Sequence, residues 1–208
     1  MDGTLASGKG TIAQALAKAF GLPVLDTGAL YRGVAVAVLE AGGDPGDAEF
    51  AARIASELDP ATIDDAKIRT ATAGAAASRV SAHPAVRQAL FDLQRRFAAQ
   101  DGGAVLDGRD IGTVICPDAD VKLFVDAEPG IRAERRWREL QARGEDVALD
   151  TIVRQLAERD ARDAGRETAP MKPASDAVLL DTSQLSIDAA IGKAVRIVSE
   201  RTGAKPVA

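Results

Sequence analysis

Four short apolar runs along the chain each close on an aspartate: Pro23-Val-Leu-Asp26, Ala104-Val-Leu-Asp107, Val121-Lys-Leu-Phe-Val-Asp126 and Ala177-Val-Leu-Leu-Asp181. Each is followed by Thr, Gly or Ala. Longer stretches with apolar residues at three- and four-residue spacing lie between them. Short β-branched runs alternating with helical patterns predict buried parallel strands in an α/β fold. Ligands of such sheets bind beyond the carboxyl ends of the strands, so the four aspartates are expected to ring a polar site. Met1-Asp2-Gly3 has the same apolar-Asp-Gly form with a single residue of strand, and reads as the stump of a fifth strand.

The helix after this stump is predicted over 11–20, with Ile12, Ala15, Leu16 and Ala19 on one face and Gly21 and Pro23 as stops. A second helix is predicted over 29–41, broken by the glycine-rich run at 42–46. Two or three more are expected between 47 and 99, with a weak stretch at 60–72. The last of these starts at His83-Pro84 and carries Val86, Leu90, Leu93 and Phe97. A C-terminal amphipathic helix at 186–201 has Ile187, Ile191, Val195 and Val198 as its stripe, and 203–208 reads as a loose tail.

Composition narrows the class. At 208 residues, 46% hydrophobic and 27% charged, the chain reads as one globular domain, which excludes disordered and fibrous proteins. Alanine supplies 42 positions and aromatics only seven, so the core must come from Val, Ile, Leu and Ala. The net charge of −5 argues against sequence-independent duplex DNA binding. The single cysteine, Cys116, allows no disulfide within the chain and suggests a reducing compartment; it reads as a small buried side chain. No apolar run approaches membrane-spanning length and no signal peptide is evident. A soluble cytoplasmic protein is the expectation.

Residues 132–166 hold 9 of the 19 arginines, and ten acids lie between Glu128 and Glu167, with Gly144 dividing two helices. Composition alone favours a solvated helical hairpin laced with weak ion pairs. The alternative is a mobile arginine-bearing lid over a phosphate site, and the motifs of the chain favour it.

Gly3-Thr-Leu-Ala-Ser-Gly8-Lys9-Gly10-Thr11 fits GxxxxGK followed by Gly-Thr. Glycines let successive backbone N–H groups turn toward phosphate oxygens, and the helix that follows adds its N-terminal dipole. Gly3, Ser7, Gly8, Lys9, Gly10 and Thr11 are the ATP-binding candidates. Lys9 supplies the charge for the β- and γ-phosphates. Gly10 stands where a hydroxyl residue is usual, which leaves Thr11 as the hydroxyl for Mg²⁺. Asp107 either ligates Mg²⁺ through a water or caps the next turn.

The GKGT ending points toward nucleoside monophosphate kinases. Leu25-Asp-Thr-Gly-Ala-Leu-Tyr-Arg32, Asp107-Gly-Arg-Asp-Ile-Gly-Thr113 and Glu158-Arg-Asp-Ala-Arg-Asp-Ala-Gly-Arg166 resemble, in the same order, the acceptor-site motifs of bacterial cytidylate kinases. The resemblance covers nearly the whole chain. It implies transfer of the ATP γ-phosphoryl group to CMP or dCMP, giving ADP and CDP or dCDP, in pyrimidine nucleotide metabolism. It also implies a P-loop kinase fold: a five-stranded parallel sheet with helices on both faces, the first strand central, and a helical lid. A single kinase domain would span 1–208, with 28–99 as the monophosphate-binding region and 131–166 as the lid.

Carried over onto this chain, the resemblance makes Lys9, Arg109 and Arg159 the catalytic cations, with Arg132 and Arg135 as lid candidates. It puts Thr27, Arg32, Ser78, Arg87, Arg109, Asp110, Arg159, Asp163 and Arg166 at the CMP site. Arg32, Arg109 and Arg166 would hold the acceptor phosphate, which suits a planar fork that can bond bidentately. Arg159 and Asp163 would lie at the sugar, and Ser78, Arg87 and Asp110 would read the base. The acceptor oxygen is already anionic, so no general base is needed, and lid closure would exclude water.

Three departures stand out. The first strand is largely missing, and that leads to the expectation of a natural start upstream of Met1 or of lowered stability. Residues 59–77 are too short and alanine-rich for the strand-bearing insertion of the long bacterial enzymes. Thr4 and Ala6 stand where Pro and Gly are common. Two competing readings follow: a kinase of another small acceptor such as UMP, AMP or shikimate, or a non-catalytic nucleotide-binding module. An RNA-binding use of the hairpin is disfavoured because acids interleave with its arginines. A monomer is expected from the family resemblance.

Overall fold

The structure, a computed structural model, describes residues 1–207. All four apolar runs form strands where they were expected: β2 (Val24–Asp26), β3 (Val105–Asp107), β4 (Leu123–Asp126) and β5 (Val178–Asp181). The stump forms β1 (Asp2–Gly3). β1, β4 and β5 make one parallel sheet, with Asp2 opposite Phe124 and Val125 opposite Leu180. β2 and β3 pair separately. Met1 joins the two groups: its N–H donates to the Leu106 carbonyl at 2.7 Å and its carbonyl accepts from Gly108 N–H at 2.9 Å. The shortened first strand therefore runs between β4 and β3, at the centre of the strand order.

The chain divides into two compact units, Met1–Leu25 with the chain from Ala98 onward, and Asp26–Phe97. In the first, α1 (Lys9–Phe20) follows β1, and α7 (Pro129–Ala142), α8 (Leu149–Ala164) and α9 (Ile187–Thr202) come later. Ile12 and Leu16 of α1 and Ala190 and Ala194 of α9 pack on Leu123, Val125 and Leu180, which share one face of the sheet by strand alternation. Small alanines let α9 approach closely, and each buried Leu or Ile contributes about 1.5–3 kcal/mol. α1 ends at Gly21, whose left-handed backbone (φ +64°) turns its N–H back to the Ala17 and Lys18 carbonyls. The tail is exposed, though Val207 N–H donates to the Ala19 carbonyl. Ala208 lies outside the described residues.

The second unit is helical: α2 (Thr27–Glu40), α3 (Ala48–Ser56), α4 (Asp65–Ile68), α5 (Ala71–Val80) and α6 (Pro84–Ala98), with a 3₁₀ turn at Pro60–Thr62. That is more helical elements after residue 47 than the apolar spacing indicated. The reason is local capping: Asp47, Asp59, Asp64 and Thr70 each accept backbone N–H groups that open a new turn. The alanine-rich segment 59–77, expected to be too short for strands, holds the 3₁₀ turn, α4 and the first part of α5. Ala73, Ala76, Ala77 and Val80 of α5 are buried, as are Leu30, Val34 and Val38 of α2. No helix among the described residues is long and apolar enough to cross a membrane.

Candidate functional site

The phosphate loop lies in the first unit, between β1 and α1. Gly3 has no alternative there: a Cβ would sit 1.9 Å from the Val125 carbonyl oxygen. Ala6 adopts a left-handed backbone (φ +62°), which a residue with a Cβ holds only at some cost in strain. Side chains from elsewhere hold the loop. Thr4 Oγ1 donates to Asp126 Oδ1 at 2.6 Å, and the buried Ser7 hydroxyl donates to the Thr4 carbonyl. Thr182 Oγ1 donates to the Ser7 carbonyl at 2.8 Å. Arg132 reaches the Leu5 carbonyl at 3.4 Å and Arg135 the Ser7 carbonyl at 3.5 Å. A trans peptide points its N–H opposite its carbonyl. Fixing the Leu5 and Ser7 carbonyls therefore turns the Ala6 and Gly8 N–H groups the other way.

Lys9 and Asp107 form an ion pair that is almost fully buried on both sides. A Cβ on Gly10 would lie 3.4 Å from the second Asp107 oxygen, so that carboxylate stands beside the start of α1. Thr11 is exposed in the first turn of the same helix. Among the described residues no three His, Cys, Asp or Glu side chains cluster as a closed metal site. This hydroxyl and carboxylate fit Mg²⁺ carried in on nucleotide phosphates, because that ion keeps most of its waters and takes few protein ligands.

The arginines of the hairpin divide by the partners they meet. Arg132 is buried, donating through Nε to the Ala127 carbonyl at 2.9 Å and through Nη2 to Asp160 at 2.7 Å. Arg135 holds Thr182 through its hydroxyl at 3.0 Å and its carbonyl at 2.8 Å. Farther along α8, Asp163 is 1% exposed and surrounded by three guanidinium groups. Arg109 Nε lies at 3.2 Å, Arg159 Nε at 3.8 Å, and Arg166 bonds its other oxygen. Burial is the largest influence on this carboxyl and would raise its pKa. The charges of Arg109, Arg166 and Arg159 together outweigh burial and hold it below the usual carboxylate value. Three guanidinium groups therefore share one buried carboxylate. By contrast Arg136, Arg138, Arg143 and Arg162 pair with Glu139, Glu134, Glu139 and Glu158 within their own helices.

Asp110 is buried where the chain leaves β3 and enters the turn Ile111–Ile115. Cys116 is buried at the end of that turn, as expected.

The remaining candidates belong to the second unit. Thr27 is buried at the start of α2, which Asp26 caps by accepting from Ala29 N–H at 3.1 Å. Arg32 returns to Asp26 at 2.6 Å. Arg32 Nε is buried with no hydrogen-bond partner among the described residues. Ser78 and Arg87 are buried, the Arg87 guanidinium donating to the Ser81 carbonyl at 3.4 Å and stacking 5.6 Å above the Tyr31 ring. His83, expected only to start a helix, also bonds the Pro45 carbonyl at 2.9 Å.

The strand-end aspartates do not act as one ring. Asp107 and Asp126 serve the phosphate loop, and Asp26 caps α2 and pairs with Arg32. Asp181 is exposed and bonds the Ser183 backbone and hydroxyl, which lower its pKa. Reading by sequence missed Asp2, Asp126, Asp160 and Thr182 as supporting residues. The apolar-Asp endings flagged two of them, but no local pattern names their partners.

A glycine-bound phosphate loop leading into a helix on a parallel sheet, with an arginine-bearing helical hairpin, defines a P-loop kinase. A solved structure of an uncharacterized protein from Eubacterium ventriosum ATCC 27560 shares the fold, with a TM-score of 0.57 at 15% identity over 96% of each chain. The family model for cytidylate kinase matches residues 1–200. The cytidylate kinase of Xanthobacter autotrophicus is 57% identical over 97% of this chain and 96% of its own. That of Caulobacter vibrioides (strain NA1000 / CB15N) is 54% identical over 96% and 94%, and that of Rhodospirillum rubrum 52% identical over 97% of each. The chain belongs to the cytidylate kinase family.

Proposed function

We propose that this chain transfers the γ-phosphoryl group of ATP to CMP or dCMP, giving ADP and CDP or dCDP, through the residues that its motifs single out. The observation that carries the assignment of roles is the convergence of Arg109, Arg159 and Arg166 on one buried carboxylate, Asp163. A surface ion pair needs one cation. Three gathered around one buried carboxylate suit a dianionic phosphate.

In this reading Gly3, Ser7, Gly8, Lys9, Gly10 and Thr11 bind the ATP phosphates. Lys9 turns from Asp107 to the transferring group. Lys9, Arg109 and Arg159, with Arg132 and Arg135 from the lid, offset charge as it moves. Arg32, Arg109 and Arg166 hold the acceptor phosphate in line; the partnerless Arg32 Nε supports this, since a buried donor left unpaired costs about 1–3 kcal/mol. Thr27 lies beside that phosphate, Arg159 and Asp163 bond the sugar, and Ser78, Arg87 and Asp110 read the base. Cytosine offers an amine donor where uracil offers an acceptor, so Asp110 selects for cytosine. Thr11, with Asp107 through a water, would hold Mg²⁺, which supplies charge neutralisation between the β- and γ-phosphates when bound. The residues work as one kinase domain over 1–208, with 28–99 as the acceptor region and 131–166 as the lid. The protein acts as a cytoplasmic monomer.

ADP formation from ATP and Mg²⁺, run in parallel with CMP, dCMP, UMP and AMP, tests the proposal. Turnover with CMP and dCMP well above UMP and AMP is expected. Equal turnover with UMP would remove the Asp110 role, and AMP as the best acceptor would overturn the assignment.

A further inference from the structure

Residues 111–115 form a turn with i→i+5 hydrogen bonds: Ile115 N–H to the Asp110 carbonyl at 3.2 Å, and Cys116 N–H to the Ile111 carbonyl at 2.6 Å. Such π-type turns are rare, are often found at functional sites, and need outside support. The opening N–H groups of any helical turn have no partner within it. An aspartate at the residue before the turn ordinarily accepts from the second or third of them itself. Asp110 holds that position and makes no such bond.

A residue distant in sequence makes it instead. Asp2 Oδ1 accepts from Ile111 N–H and Oδ2 from Gly112 N–H, both at 2.7 Å and both buried. Gly112 allows the close seat, since a Cβ there would stand 3.1 Å from the flexible Lys122 side chain and 3.3 Å from Asp2 Oδ2. The Asp2 backbone is itself fixed at the sheet centre, opposite Phe124 of β4.

We propose that Asp2 is a positioning residue for acceptor-base selection. By taking the cap of the 111–115 turn, it releases the Asp110 carboxylate from capping and fixes the backbone that carries it. Without Asp2, two buried N–H groups lose their acceptor. Asp110 is then the residue placed to take the Gly112 N–H, and its carboxylate turns toward its own backbone. The proposal rests on the reading of Asp110 as a base-reading residue. It adds that selectivity is set partly by a carboxylate that does not meet the substrate.

The test measures kcat/KM for CMP and for UMP, together with KM for ATP, on the full chain and on Asp110→Asn, Asp2→Asn and Gly112→Ala. Asp110→Asn is expected to lower the CMP-to-UMP preference. Asp2→Asn, which sets an amide N–H against a backbone N–H, is expected to lower the same preference about tenfold while KM for ATP stays within about twofold. Gly112→Ala keeps the carboxylate but crowds it, and is expected to act in the same direction more weakly. If Asp2→Asn slows both acceptors equally, or raises KM for ATP with the preference unchanged, Asp2 only supports the phosphate loop and the proposal is overturned. If Asp2→Asn does not fold, an unchanged preference in Gly112→Ala overturns it. An unchanged preference in Asp110→Asn removes the base-reading role of Asp110, and the proposal falls with it.

Discussion

Two sets of arginines in the α7–α8 hairpin use the same side chain for opposite ends. In one set Arg136, Arg138, Arg143 and Arg162 meet glutamates three or four residues away. The glutamates of those pairs are exposed to solvent, and such pairs are individually weak. In the other set Arg132 and Arg135 reach backbone carbonyls of the phosphate loop more than 120 positions away. Arg159 and Arg166 close on a carboxylate that is almost wholly buried. A count of arginines in this segment cannot separate a solvated hairpin from a lid. The burial of the partner carboxylate can, because a buried charge is tolerated only when its partners are fixed.

The contrast breaks most readily at Asp163. Asp163→Ala leaves Arg109, Arg159 and Arg166 crowded without their anion. We expect a loss of at least about 3 kcal/mol in unfolding free energy by urea titration, with activity abolished. Acid should sharpen the same point. The Asp163 pKa is lowered in the folded state, so its contribution is fully present above the unfolded value and is lost as pH falls through the folded value. Below the usual carboxylate range the melting temperature of the natural chain should therefore fall more steeply than that of Asp163→Asn; parallel curves would refute the account of the cluster. Arg132→Ala removes donors to Leu5, Ala127 and Asp160 and should raise KM for ATP about tenfold, with a smaller effect on KM for CMP. At the weak end, Arg136→Ala, Arg138→Ala and Arg143→Ala should each change stability by less than about 0.5 kcal/mol and leave kcat/KM unchanged.

Legibility followed the range of the interactions. The strands could be read because each is a short apolar run whose ending aspartate marks the ligand side of the sheet. The long helices could be read from spacing and glycine stops. The segment at 60–72 was harder, because its 3₁₀ turn and four-residue helix are nucleated by single caps at Asp59 and Asp64 rather than by an apolar stripe. The 111–115 turn could not be read at all, since its cap comes from Asp2, 109 positions before Ile111. The site divides in the same way. Spacing named Lys9, and motif order named the arginines. The residues that orient them, Asp107 against Lys9 and Asp160 against Arg132, pair across long separations that no local pattern encodes.

The most direct test pits the two sets of arginines against each other in one assay. Steady-state kcat/KM for CMP would be measured on the double variant Arg159→Ala/Arg166→Ala and on the triple variant Arg136→Ala/Arg138→Ala/Arg143→Ala, with melting temperatures recorded alongside. The double variant should lose roughly a hundredfold or more in kcat/KM while still unfolding cooperatively, and the triple variant should stay within about twofold of the natural chain. Equal losses in the two, or a double variant that keeps full activity, would contradict the claim that the arginines gathered on Asp163 serve phosphoryl transfer.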